Sequence, residues 1–128
     1  MSSVFQALKR AKGLGSGHNG THHFIVQRTT AVILIPVVLY FLCSIISLVG
    51  AETFHEVLVW FRNPFNSGMA IVFFLTGFYH AALGVQVVIE DYVHQEPVKW
   101  LALIAVKAVC VIFAAVAVVS ILRLALGY

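Results

Sequence analysis

Three long apolar stretches limit what this chain can fold into more than any other feature. They run over residues 29–49, 68–89 and 98–122. The hydrocarbon core of a bilayer is about 30 Å thick, a distance that about 20 residues of α-helix cross. Lipid offers no hydrogen-bond partner to backbone N–H and C=O groups, so an isolated apolar segment crosses as a helix. The spacing predicts an all-α membrane protein of three transmembrane helices, organised as one unit over residues 1–128 with a cytoplasmic segment at 1–20. Composition agrees: 61% of the residues are hydrophobic and 10% charged, where a soluble domain carries about 25% charged residues. A soluble domain of this size has too little interior to hide that much apolar surface.

Local punctuation supports the same division. Asn63 and Pro64 form an N-cap and first-turn pair for the second helix, and Pro97 after Glu96 opens the third. Pro36 falls inside the first and is expected to kink it. Two flanking pieces look interfacial. Ser3 and Gln6 make a capping box, and Val4, Phe5 and Leu8 fall near one face opposite Lys9 and Lys12. Residues 52–62 place Phe54, Val57, Leu58 and Phe61 along one side. Trp60, Trp100 and Tyr128 sit at span ends, where amphipathic rings belong.

The net charge of +3 does not indicate a nucleic-acid partner, because the cations cluster at one end of a membrane protein. Lys9, Arg10, Lys12, Arg28 and Lys99 fall on the side shared by the N-terminus and the second loop, and only Arg62 and Arg123 on the other. The positive-inside rule then places the N-terminus in the cytoplasm, or in the matrix for an organelle-encoded protein. Residues 1–20 lack the apolar core of a cleavable signal, and the chain reads as complete from Met1. Cys43 and Cys110 lie in apolar runs without partners at metal-ligand spacing and are expected to be small buried hydrophobes.

Chemistry is carried by the residues too polar for lipid. His80 lies near the middle of the second span, where an ionisable side chain is costly and commonly functional. Gly77, His80, Gly84, Val87 and Asp91 step by three and four along one helix face. Glycines one turn either side of a histidine leave room for a flat group such as an axially ligated porphyrin; they equally permit close helix packing. Glu90, Asp91, Tyr92 and His94 form a polar cluster at the cytoplasmic end of that span. A phenol there can donate to a quinone carbonyl, and an acid beside it can hold an arginine or deliver protons; an interfacial tyrosine with solvated acids is the plainer alternative. A third cluster holds His18, His22, His23 and Arg28. Arg28, at the lip of the first span, suits a carboxylate partner or serves as a topological anchor. Lys107, inside the third span, is expected to snorkel towards the cytoplasmic face.

Two of these regions together resemble a known family. SGHNGTHHFIVQRTTAVILIPVVLY, at 16–40, is similar to the G-x-N-G-x-H-x-F-I-x-x-R-x-T-A region of the D-type membrane anchor of succinate:quinone oxidoreductases. HAALGVQVVIEDY, at 80–92, resembles that family's H-x-x-x-G-x-x-x-x-x-x-D-Y helix. The resemblance covers about residues 15–93; the third span matches only in hydrophobicity, and the S-P-H-L signature of the partner C-type anchor is absent. His23 stands where the bacterial pattern has an acid after the histidine at His22.

The resemblance implies half of a haem-binding bundle, completed by a second, C-type membrane anchor, in a bacterial inner membrane or a mitochondrial one. It implies His80 as an axial ligand of haem b, Tyr92 and Asp91 in a ubiquinone site, and Arg28 near the haem propionates; Gly77 and Gly84, by their spacing, would then face the haem, and His22 would lie in the vicinity of the propionates or the quinone site. Succinate oxidation belongs to a flavoprotein and an iron–sulfur protein, since this chain has neither a Rossmann glycine fingerprint nor a cysteine-rich cluster motif. The chain would anchor those partners and pass electrons from succinate to quinone, in the tricarboxylic acid cycle and respiratory chain. The rival readings are a fumarate reductase cytochrome b anchor and a haem-free membrane scaffold or assembly protein.

Overall fold

A computed structural model of the chain describes residues 17–127, with side chains from Gly20 onward. The Ser3–Gln6 capping box, Lys9, Arg10, Lys12, the side chain of His18 and Tyr128 lie outside the described residues. The described chain is all helical: α1 (Gly17–Leu48), α2 (Phe54–Arg62), α3 (Pro64–Tyr92) and α4 (Glu96–Leu126). Three of these helices, α1, α3 and α4, are long and apolar enough to span a membrane.

Each helix starts and stops for a local reason. The Asn63 side chain accepts from the Phe65 N–H at 2.9 Å, and Pro64 fills the first turn of α3, where its missing N–H costs nothing. Pro97 does the same in the first turn of α4, and Lys99 Nζ pairs with Glu96 Oε1 at 3.0 Å across that turn. Gly127 ends α4 with a left-handed φ of 81°, the conformation glycine adopts most cheaply. A Cβ there would stand 3.1 Å from the Arg62 guanidinium, so Arg62 of α2 sits at the negative end of the α4 dipole. In the apolar spans, hydroxyls close back on their own helix: Thr29 on Ile25 O, Ser44 on Tyr40 O and Ser120 on Val116 O, each at 2.8 Å.

α1 begins about three turns ahead of residue 29, where its apolar stretch starts, and runs unbroken through Pro36. A helix already nucleated in lipid propagates outwards at little cost, so the polar stretch before the span continues as helix despite its glycines.

α3 is the middle element. α1 packs on one side of it, α4 on the other, and α2 lies across the end near residues 48–66. The α1 seam repeats in steps of four and three: His23, Gln27, Thr30, Leu34, Val37, Phe41 and Ser44 are all half-buried or buried. That repeat keeps one stripe on a neighbouring helix crossed at a shallow angle. At the α2 end, Phe41 stacks on Phe73 at 4.6 Å and Trp60 meets Phe41 edge-on at 6.1 Å. Asn66 accepts from the Tyr40 hydroxyl and donates to Trp60 O, tying α1, α2 and α3 together. On α2, Val57, Leu58 and Phe61 are half-buried together, with Trp60 joining them, whereas Phe54, expected on the same side, is exposed.

Very little is buried within the chain itself. Val37, Ala70 and Ile121 are the buried apolar residues among those described, with Thr30, Ser44 and Ser67 as the buried polar ones. Contrary to the expectation of buried cysteines, Cys43 is exposed and Cys110 half-buried, both as free thiols. Three helices in a row bury only their two seams, leaving the remaining faces to lipid or to other protein.

Candidate functional site

The antiparallel register of α1 and α3 sets the depth of every candidate residue. Thr30 lies against His80 and Gln27 against Gly84. The Thr30 hydroxyl stands 2.8 Å from His80 Nδ1. The His80 ring is half-buried, and its Nε2 has no hydrogen-bond partner among the described residues. One ring nitrogen is therefore held by α1 while the other is available. Among the described residues no three His, Cys, Asp or Glu side chains converge on a metal-sized site. A metal bound through His80 would therefore need ligands from beyond the described residues to complete its coordination.

The two glycines differ. A Cβ on Gly84 would meet Gln27 Nε2 at 3.6 Å, so Gly84 faces α1, while Gly77 has nothing within 4 Å of that position. Towards the N-terminal end of α1 the seam becomes polar. His23 Nε2 and Gln27 Oε1 are buried there without hydrogen-bond partners, an arrangement that costs stability unless a further group satisfies them. The sequence assigns no role to His23 or Gln27, and Thr30 figures in it only as the threonine of the R-x-T-A match. Nothing in the sequence separates these seam residues from the polar His22, Arg28 and Thr29 of the same segment, which face outwards.

His22 and Arg28 are exposed, on faces of α1 turned away from the seam. Arg28 lies 5.2 Å over the Phe24 ring. Two residues from Thr30, it is within about 3 Å of the depth of His80. By the same register it lies roughly 14 Å deeper than Tyr92. Arg28 is thus grouped with the histidine, while His22 and His23 lie nearer the level of Tyr92.

Tyr92 is 79% exposed at the last residue of α3, and Asp91 and Glu90 beside it are also exposed. Glu90 accepts from Gln86 at 2.8 Å, and Asp91 makes no ion pair with Arg28. A shallow cavity of about 330 Å³ opens between Tyr92, Val93, His94, Gln95 and Val98. Asp91 is eleven residues from His80, about 16 Å along the helix at 1.5 Å per residue. Histidine and tyrosine thus mark two levels of one helix. On the opposite side of α3, a groove of about 450 Å³ runs against α4, bordered by Tyr79, Gln86 and Lys107.

The family model for the succinate dehydrogenase/fumarate reductase transmembrane subunit matches residues 4–116. The chain belongs to that family. Relatives named succinate dehydrogenase hydrophobic membrane anchor subunit include one from Rickettsia bellii, 35% identical over 84% of this chain and 86% of its own length. Another, from Rickettsia felis, is 30% identical over 87% of this chain and 92% of its own. A succinate dehydrogenase membrane anchor subunit from Reclinomonas americana is 26% identical over 73% of this chain and 79% of its own. Family membership and three apolar helices together make this a multi-pass membrane-anchor protein.

Proposed function

We propose that this chain is the haem-binding and quinone-binding anchor of a succinate:ubiquinone oxidoreductase. His80 Nε2 would be one protein ligand of a haem b, the other coming from a second membrane anchor. Tyr92 and Asp91 border the ubiquinone-reduction site. Arg28, within about 3 Å of the depth of His80, would pair with the haem propionates, with His22 nearer the surface. The exposed polar end around 90–96 receives the iron–sulfur protein, which carries the flavoprotein. The membrane is the bacterial inner membrane or its mitochondrial counterpart, with the N-terminus on the cytoplasmic or matrix side.

The observation that carries this reading is the state of His80. A mid-span histidine with Nδ1 bonded and Nε2 free, in a chain of this family, has the donor set of an axial ligand. Haem b bound there supplies a one-electron centre inside the membrane. The chain's own part is placement. His80 is fixed in rotation by α1, Tyr92 presents a phenolic donor where a headgroup meets polar side chains, and Asp91 stands beside it to orient a partner arginine or take up protons.

One observation favours a second reading, the haem-free scaffold: the His80–Thr30 bond is also what an interhelical structural histidine would make. The absorption spectrum of the purified complex separates them. The expected result is a b-type spectrum that is lost or strongly perturbed in His80→Ala, with succinate oxidation by a soluble dye preserved. An unchanged low-spin bis-histidine signature in His80→Ala excludes His80 as the ligand.

A further inference from the structure

The Thr30 hydroxyl has three neighbours and a single proton to share among them. It lies 3.0 Å from Val26 O, 3.0 Å from Gln27 O and 2.8 Å from His80 Nδ1. Both carbonyls can only accept. If the hydroxyl proton pointed at the imidazole, oxygen lone pairs would face two carbonyl oxygens at hydrogen-bond distance, which is repulsive. The proton therefore goes to the carbonyls, and the hydroxyl oxygen accepts. Nδ1 must then be the donor, so the imidazole proton sits on Nδ1 and the lone pair on Nε2. The contact is shielded, because Thr30 is only 8% exposed and lies in the α1 seam.

We propose that Thr30 is a positioning residue for His80, locking the ring in the Nδ1–H tautomer and presenting Nε2 as the electron-pair donor. The proposal rests on the haem reading above and deepens it. A hydrogen bond from Nδ1–H to an oxygen fixes the ring about its bonds and raises the basicity of the opposite nitrogen. A more basic ligand favours ferric over ferrous iron, so removing the acceptor raises the midpoint potential and weakens retention.

The test uses the complete complex, purified with its partner proteins as wild type, Thr30→Val and Thr30→Ser. Haem content, optical redox titration and low-temperature electron paramagnetic resonance are read on each. Valine keeps the branched shape and removes the oxygen. Its complex is expected to retain a low-spin haem but to release it about 10–100-fold more readily. Its reduced-to-oxidised ratio at a fixed potential should rise about tenfold, equivalent to about 59 mV for a one-electron couple. Serine keeps the oxygen and should stay near wild type in every readout. Should the valine complex not assemble, Thr30→Ala is read in the same way, and failure of both to assemble while serine assembles with wild-type spectra supports the hydroxyl's positioning role. A valine or alanine complex with wild-type potential, resonance spectrum and haem retention overturns the proposal, as does a serine complex displaced as far as valine. Those results leave the haem reading standing if His80→Ala still abolishes the spectrum. A wild-type complex without haem, or a His80→Ala complex with the wild-type spectrum, removes the haem reading itself.

Discussion

Replacing Tyr92 by phenylalanine isolates one atom at the proposed quinone site. The side chain is 79% exposed within the chain, and its hydroxyl makes no hydrogen bond to another described residue. Loss of the oxygen therefore costs the fold of this chain no internal bond, and the stability change should stay within about 0.5 kcal/mol, as for other exposed positions. What is lost is the bond to quinone. A neutral hydrogen bond contributes about 0.5–1.5 kcal/mol net, and leaving a buried acceptor unpaired costs about 1–3 kcal/mol. At about 1.36 kcal/mol per factor of ten, quinone reductase activity should fall by roughly twofold to a hundredfold. The assay compares succinate-dependent reduction of a soluble ubiquinone with reduction of a dye that takes electrons from the iron–sulfur protein. The first should fall, with a raised apparent KM or a lowered kcat, while the second and the haem content stay level. Unchanged rate and KM for ubiquinone would make Tyr92 an interface anchor and refute its assignment to the site.

Other features of the structure lead to further expectations. Gly84→Ala should be tolerated, because its Cβ meets Gln27 at an ordinary contact distance of 3.6 Å, whereas Gly84→Leu should push α1 from α3 and lower haem retention in the assembled complex; equal retention in both would show that the seam does not limit the site. Asn66→Ala removes the link between Tyr40 and Trp60, and at about 0.6 kcal/mol for each of two interhelical bonds should lower the complex's midpoint in a detergent denaturation series slightly while leaving its spectrum intact. Single cysteines in a background lacking Cys43 and Cys110 should label from the cytoplasmic side at His94 and from the opposite side at Gly50. The reverse pattern would place Tyr92 away from an iron–sulfur donor and overturn the proposed electron path.

The three spans were legible because a bilayer imposes both a length and a backbone state. Residues 29–49, 68–89 and 98–122 are long enough to cross, and helix is the conformation that leaves no amide unpaired in lipid. The starts of α3 and α4 were equally local, written in Asn63–Pro64 and Glu96–Pro97. His80 stood out because a ring that polar, that deep, is costly without a partner. The partner itself was not legible. Lipid and a neighbouring helix are both apolar, so α1 carries no amphipathic contrast to say which side meets α3. Only tertiary packing selected the stripe through His23, Gln27 and Thr30, and left Arg28 and His22 facing outwards. Depth behaves the same way. Arg28 and Asp91 both read as residues of the cytoplasmic end, yet the pairing of Thr30 with His80 puts Arg28 at the level of the histidine. Sequence spacing measures distance along one helix, whereas the level of one helix against another is set by which side chains interlock. In this chain that register is marked by the Thr30 hydroxyl on the His80 imidazole, by Gln27 against Gly84 and by Phe41 stacked on Phe73.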